Sequence, residues 1–473
     1  MATTAFSRIS RYLLPALLAL SVILRVSLSV VNRESNDPHM PVVQMIAENG
    51  TLPRLEDHWE GFQPKLYHAT TALLIRGMRI DSESQQIILA QLLSTVAGLI
   101  TLVCIFLFLR DAGVKPFILG TTVALCALNP KLIGINAQAT NDSFVIAACS
   151  ATILYVARYV RDDKLSSFIL ATLFAILSGL AKGNGILMFF LVLTVFAVII
   201  LRDLRSGKAS AGLRNLGMVG VFMVAWVGLT LPLGQYWERY QNHGSPFVIN
   251  WPKAQPPKVL TPTYPPDRPL GIVSIVQSYV TFMPIELLRT PYVEKKENES
   301  FDEPPRLRTS FWTLLYGLSH SIHFSRWPPS WASDHWMVIN LTRMILILAL
   351  IPTAVFLLGA GVVVRRCLSI ITDNHWVKTS PFDITAFVAA GGYLAFMLLY
   401  TFQYRAYVVI KAIFFFPALV SLAYCFAEGA CLVVTRPGFS PAGKMMFASA
   451  VICLCLLYAV DVGILVLRLV CSS

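Results

Sequence analysis

Long apolar runs recur along almost the whole chain, separated by short polar or basic connections. A helix that spans a bilayer needs about 20 largely apolar residues, and most of the runs approach or exceed that length. They fall near residues 12–31, 86–109, 116–138, 143–160, 166–181, 184–201, 214–233, 337–363, 384–401, 407–427 and 445–468. The pattern predicts an all-α polytopic membrane protein of about eleven transmembrane helices, built as a single membrane domain over residues 1–473.

The first run follows Arg8 and Arg11 and is longer than the apolar region of a typical signal peptide. A cleavage site of small residues is not evident after it. We therefore expect an uncleaved first helix.

Composition agrees with a membrane protein. Of the 473 residues, 56% are hydrophobic and 14% are charged, whereas soluble domains carry about 25% charged residues. The net charge of +12 comes mostly from the connections between runs, so it indicates helix orientation rather than a nucleic-acid surface. The nine cysteines show no paired metal-ligand spacing and most lie in apolar runs, which argues against a disulfide framework.

The basic connections set the orientation. If the N-terminus is cytoplasmic, each inner connection is basic, as the positive-inside rule requires. The same count places two long segments, 32–85 and 234–336, outside. The first contains amphipathic stretches at 40–48 and 66–79 that suit the membrane surface, with Trp59, Phe62 and Tyr67 as interfacial anchors. We expect function on this outer side.

The first outer segment carries the most informative side chains. Asp37 lies a few residues beyond a membrane exit, and His39, Glu60, Gln63 and Tyr67 follow. A carboxylate among imidazole, amide and aromatic groups can hold a sugar acceptor and remove its hydroxyl proton. An ordinary solvated loop is the alternative interpretation.

A second carboxylate, Asp142, lies where the fourth run begins. It could simply cap that helix. Alternatively, it faces Asp37 across a shared cavity, where the two carboxylates would bind a divalent cation or divide the base and hydrogen-bonding roles.

Four cations near predicted outer helix ends form the third set. They are Arg25, Lys182, Arg405 and Lys411. Charge at membrane depth is costly and needs a partner, and an anionic lipid phosphate would be a shared one. For Arg25 alone, snorkelling to the interface is also an adequate explanation.

Several short motifs occur in a fixed order on the predicted outer side. They are Arg25, Asn36-Asp37 with His39, Gln63-Pro64-Lys65-Leu66-Tyr67, Pro130 with Asn141-Asp142, Gly179-Leu180-Ala181-Lys182, and Tyr404-Arg405 with Pro417. The combination resembles the GT-C-type glycosyltransferases that use polyprenyl- or dolichyl-phosphate sugars, a group that contains protein mannosyltransferases and lipid A aminoarabinose transferases. Asn36 stands where that group commonly has an acid, and Lys65 where it commonly has Pro.

The resemblance implies a function and roles for these residues. A sugar would pass from a lipid-phosphate carrier to an acceptor hydroxyl or amine in one inverting displacement, with Asp37 as the base. His39, Glu60, Gln63, Tyr67 and Asp142 would contact acceptor or sugar, and Arg25, Lys182, Arg405 and Lys411 the phosphate. A divalent cation stays open as a cofactor. The site would face the periplasm in a bacterium, from the plasma membrane, or the endoplasmic reticulum lumen in a eukaryote.

Two other functions are compatible with the pattern. Intramembrane charges and many helices also suit a secondary transporter. The departure at Asn36 suits a non-catalytic subunit with a GT-C-like fold. A transferase requires Asp37, Glu60 and Asp142 to line one outward cavity, with Arg405 or Lys182 within reach.

Overall fold

The structure is a computed structural model that describes residues 2–33, 38–54, 57–246, 272–289, 291, 310–321, 335–372, 380–403, 411–435 and 440–472. Within these ranges every regular element is helical. Asp37 and Arg405, two of the predicted site residues, lie outside the described residues.

The chain opens with a long helix and two short ones. These are α1 (Ala2–Val31), α2 (Met40–Asn49) and α3 (Leu66–Met78). Helices α2 and α3 coincide with the two predicted amphipathic stretches and pack on each other around Val42, Val43 and Tyr67. The expectation that Tyr67 anchors the membrane interface is wrong, because its side chain is fully buried in this small core.

The next four helices contain a break. They are α4 (Glu83–Asp111), α5 (Pro116–Leu128), α6 (Pro130–Asn136) and α7 (Asp142–Asp162). The axis turns by 56° between α5 and α6. Pro130 has no N–H to continue α5, and the Asn129 side chain caps α6 by accepting a hydrogen bond from Leu132 N at 3.0 Å.

Helices α8 (Leu165–Ala181), α9 (Leu187–Arg205), α10 (Ala209–Leu233) and α11 (Tyr236–His243) follow. A 3₁₀ turn, Gly183–Ile186, joins α8 to α9. The described part of the second outer segment contributes α11, then α12 (Ile272–Val280), α13 (Pro284–Arg289) and α14 (Phe311–His320). Helix α14 is tied to the α5–α6 break, because the Asn129 amide donates to the Ser319 carbonyl at 2.9 Å.

Four long helices complete the fold. They are α15 (Trp336–Thr372), α16 (Pro381–Gln403), α17 (Leu419–Thr435) and α18 (Pro441–Ser472). Helices α15 and α17 approach at two glycines. A Cβ on Gly359 would lie 1.8 Å from the Cys425 carbonyl oxygen, and one on Gly429 would lie 1.9 Å from that of Val355. Only glycine allows this contact, as in other close membrane-helix pairs.

Among the described residues, nine helices are long and apolar enough to cross a membrane, or ten if α5 and α6 form one span. The chain is therefore a multi-pass membrane protein. The predicted count of about eleven is not confirmed. Run 116–138 is broken at Asn129-Pro130, and run 166–181 gives the 17-residue α8, which is shorter than a typical span.

One end of the bundle carries a set of arginine ion pairs, here called the arginine end. Its arginines are Arg110, Arg158, Arg161, Arg202 and Arg366, in or beside the connections predicted to be cytoplasmic. Asp111 contacts Arg158 at 2.7 Å and Arg110 at 2.8 Å. Arg366 bridges Glu428 at 2.7 Å and Asp383 at 3.3 Å. These contacts neutralise the carboxylates where the helices end.

Candidate functional site

The start of α7 provides a buried carboxylate at the end opposite to the arginine end. Asp142 begins a helix of 21 residues, which is about 30 Å long at 1.5 Å per residue. Its Oδ1 lies 2.5 Å from Lys182 Nζ, and its Oδ2 accepts a hydrogen bond from Thr140 Oγ1 at 3.1 Å. The carboxylate thus serves an ion pair, whereas Asn141 occupies the N-cap position.

Lys182 occupies the turn that follows α8. Its backbone is extended, which ends α8 and directs the chain into the 3₁₀ turn. The Asn141 amide donates to the Ala181 carbonyl at 3.2 Å and fixes this turn against the start of α7. The Lys182 ammonium also lies 5.8 Å from the centroid of the Phe414 ring, within the range of a cation–π contact.

Two further lysines adjoin this pair. Lys131, in the first turn of α6, is buried, and its ammonium lies in the field of both Asp142 and Lys411. Lys411 precedes the turn Ala412–Phe414 that brings Phe414 to Lys182. We call Lys131, Lys182, Lys411 and Asp142 the lysine cluster. The cluster brings three lysines into one region with the buried Asp142 carboxylate.

Buried amides lie in the same turn as Asp142. The Gln138 amide has no hydrogen-bond partner among the described residues, and neither has Asn141 Oδ1. A buried polar group without a partner costs about 1–3 kcal/mol. A ligand with several hydroxyl groups would recover that free energy.

The first outer segment packs beside this region. The ring centroids of Tyr67 and Phe144 are 5.1 Å apart, and the Tyr67 hydroxyl donates to the Ala90 carbonyl at 3.2 Å. His39 Nδ1 lies 2.9 Å from His68 Nε2, and both rings are buried. Burial lowers the pKa of His68 well below its usual value, and the neighbouring His39 and Lys65 lower it further. His68 is therefore neutral at physiological pH.

Glu60, Gln63 and Lys65 belong to the turn before α3, and all three are buried. The Lys65 ammonium donates to the carbonyls of Gly61 at 2.6 Å and Gln63 at 2.7 Å. Burial, followed by the charge of Arg239 on α11, lowers the pKa of Lys65 to about 7, while Glu60 opposes the shift. The turn contributes a charge that is sensitive to pH near neutrality.

Arg25 has a different environment from the lysines. Its guanidinium is fully buried and donates to Asn136 Oδ1 at 3.1 Å, to the Ala127 carbonyl at 2.5 Å, and to Ser21. These acceptors are all neutral protein groups. The arrangement is a hydrogen-bonded helix contact, and it replaces the snorkelling expectation.

The structure thus brings Asp142, Lys182 and Lys411 together, along with Lys131. The predictions for Asp37 and Arg405 lie outside the described residues. Both Asp142 oxygens are engaged, so a divalent cation at Asp142 would have to displace Lys182 or Thr140. Among the described residues, no group of three or more potential metal-ligating side chains was found.

Sequence reasoning missed Lys131 as a candidate site residue. Lys131 lies within an apolar run but directly after Asn129-Pro130. A charge just after a proline break was the available signal, because a broken helix inside a membrane lines a cavity or contacts other parts of the protein.

In the ranges that the structure describes, the chain is an all-helical multi-pass membrane protein, with the lysine cluster as a candidate site near one end of the bundle. The chain matches no protein-family model and no curated protein sequence.

Proposed function

We propose that the protein transfers a sugar from a lipid-phosphate carrier to an acceptor hydroxyl or amine on the outer side of its membrane. The observation that carries the proposal is the lysine cluster, in which Lys182 contacts the buried Asp142 carboxylate and the buried Lys131 lies in the field of Asp142 and Lys411. Such a setting binds a phosphate strongly, because charge-assisted hydrogen bonds gain strength when water is excluded.

In the proposed reaction a bond forms between the acceptor atom and the anomeric carbon, on the face opposite to the carrier. The bond from that carbon to the phosphate oxygen breaks, and its electron pair stays on the phosphate. Lys131, Lys182 and Lys411 stabilise the charge that develops there. Asp142 holds the Lys182 ammonium at 2.5 Å, so its role is to position the cation.

The acceptor proton needs a base, and Asp37 is the proposed one, as the GT-C resemblance implies. His39, two residues further along, is held against His68 beside Tyr67. The buried amides of Gln138 and Asn141 are suited to sugar hydroxyls. The membrane would be the plasma membrane of a bacterium or the endoplasmic reticulum of a eukaryote.

The test uses purified protein in lipid nanodiscs and a panel of radiolabelled polyprenyl-phosphate sugars with candidate acceptors. We compare the wild type with Lys182→Gln and Asp37→Asn. Arg79→Gln is the matched control, because Arg79 is an exposed cation at the end of α3 on the same side. We expect transfer by the wild type and the control, and a loss of at least 100-fold in the other two.

Absence of transfer from every donor, together with substrate counterflow in liposomes, would instead identify a transporter. Absence of both activities, with a partner enzyme required for transfer, would identify a non-catalytic subunit. Transfer that survives Lys182→Gln unchanged would remove the lysine cluster from the mechanism.

A further inference from the structure

The break between α5 and α6 leaves backbone groups that need partners. Pro130 has no N–H, and the 56° bend turns the α6 amides away from the last carbonyls of α5. Within a bilayer such carbonyls must find partners inside the protein. Arg25 provides one, since its Nη1 donates to the Ala127 carbonyl at 2.5 Å.

The same guanidinium also holds the C-terminal end of α6. Arg25 Nε donates to Asn136 Oδ1 at 3.1 Å, and the Asn136 amide donates in turn to Ser143 Oγ at 3.0 Å. Gly98 on α4 makes room for Asn136, because a Cβ at position 98 would lie 2.1 Å from Asn136 Oδ1. The Asn136 side chain therefore has little freedom to move.

These contacts connect Arg25 to the lysine cluster. Lys131 lies on α6 between the two anchoring points, and Ser143 is next to Asp142 in α7. We infer that Arg25 is a positioning residue, which clamps the last turn of α5 to the end of α6 across the break and thereby sets Lys131 and Asp142 in the cluster. The inference rests on the proposed function for the ligand of that cluster, and it replaces the expectation that Arg25 binds the phosphate itself.

The test needs one variant that removes the guanidinium and one that keeps it. Arg25→Lys retains the charge, but a single ammonium cannot span both acceptors. Gly98→Ala leaves Arg25 intact and displaces Asn136. Gly217→Ala on α10 is the matched control, because a Cβ there meets nothing within 4 Å.

Two measurements do not depend on transfer. Hydrogen exchange of residues 130–136 reports the order of α6, and acylation of Lys131 by a water-soluble amine reagent reports its burial. We expect both rates to rise at least tenfold in Arg25→Lys and Gly98→Ala, and to stay within twofold in Gly217→Ala. Unchanged exchange and acylation in both variants would overturn the clamp.

Steady-state kinetics then separate positioning from stability. A misplaced Lys131 raises KM for the donor severalfold, whereas a purely structural defect lowers the amount of active enzyme with KM unchanged. If Arg25 instead bound the phosphate, Arg25→Lys would raise the donor KM while α6 stayed protected from hydrogen exchange. Gly98→Ala would then change neither the donor KM nor the exchange rate. If the wild type transfers no sugar while the exchange results hold, the clamp stands and the proposed function fails.

Discussion

The arginine end and the lysine cluster use the same kinds of charge in different ways. At the arginine end, Asp111 contacts three arginines, and Asp203 accepts from both Arg202 and Asn215. These carboxylates have their hydrogen-bonding capacity satisfied by neighbouring helices. In the lysine cluster Lys182 contacts Asp142, Lys131 lies in the field of both Asp142 and Lys411, and the adjacent Gln138 amide has no partner among the described residues.

Under the proposed function, the difference separates a structural site from a binding site. A guanidinium and a carboxylate satisfy each other in a planar, two-bond geometry. A lysine is a point charge that can adapt to a phosphate oxygen. Where positive charge exceeds negative charge in a buried place, the protein carries an electrostatic cost that an anionic ligand relieves.

Lys182→Gln should have the largest effect among the substitutions that test the contrast between the lysine cluster and the arginine end. The substitution removes the 2.5 Å ion-pair partner of the Asp142 carboxylate, which destabilises the protein by about 1–3 kcal/mol. It also removes a charge near the leaving phosphate of the proposed reaction. We expect transfer to fall by about 100-fold or more. Initial rates, normalised to the folded fraction from size-exclusion chromatography, measure the effect.

Lys131→Gln is a second test of the contrast, because it should raise the stability of the ligand-free protein and weaken donor binding. Lys131 repels Lys411 when no ligand is present, so its removal should stabilise the ligand-free protein by about 1 kcal/mol. A charge-assisted hydrogen bond to the donor contributes about 1.5–3 kcal/mol, so donor KM should rise about tenfold. Thermal unfolding and steady-state kinetics test both; a lower melting temperature or an unchanged KM would contradict the prediction.

Lys65 gives a pH dependence with a definite sign. Its pKa is lowered to about 7 in the folded protein, against about 10.4 for an unperturbed lysine. Between these values the unfolded segment binds more protons, so the free energy of unfolding rises with pH by up to about 1.4 kcal/mol per unit. Below pH 7, where Lys65 is protonated in both states, the segment carries the full cost of burying the charge.

Hydrogen-exchange protection factors of α3, measured from pH 7 to 9, report this slope. We expect them to rise in the wild type by up to tenfold per pH unit and to stay nearly flat in Lys65→Met. The effect on transfer should not exceed about threefold, because the Lys65 ammonium bonds to Gly61 and Gln63 within its own turn. An equal slope in the variant would assign the titration to another group.

Asp111→Asn should affect transfer least. Arg158, whose side chain is only 18% exposed, would lose its 2.7 Å partner, and we expect a loss of roughly 1–3 kcal/mol in stability. Transfer per folded molecule should stay within twofold of the wild type. A specific activity lower by tenfold would show that the arginine end is coupled to the lysine cluster. The arginine end could then no longer be regarded as purely structural.

The apolar pattern predicted the helical membrane fold well, because hydropathy is a property of each run by itself. It could not predict the 56° bend at Asn129-Pro130, since a proline in an apolar run is compatible with either a straight kinked span or a broken one. The apolar pattern also could not predict how short α8 is, because the length of α8 depends on where Lys182 adopts an extended backbone.

The site was predictable only in part. Asp142 was expected to have Arg405 or Lys182 within reach, but the 2.5 Å contact with Lys182 joins residues 40 positions apart, and one sequence without homologues carries no signal that selects this pair. For Tyr67 the difficulty is that one residue type suits two different environments. An aromatic residue in an amphipathic stretch suits both an interface and a core, and here packing against His39 and Phe144 places it in the core.

The shortness of α8 also bears on how a lipid reaches the site. Its 17 residues span roughly 26 Å at 1.5 Å per residue, against about 30 Å for a typical hydrocarbon core. Leu165, Ile169 and Leu173 are exposed along it, which gives α8 an apolar face suited to acyl chains, and a short span is accommodated by local thinning of the bilayer or by snorkelling of flanking residues. Under the proposed function, local thinning would draw the headgroup of an arriving lipid toward the depth of Lys182, and the fit between bilayer thickness and α8 would become part of the entry route.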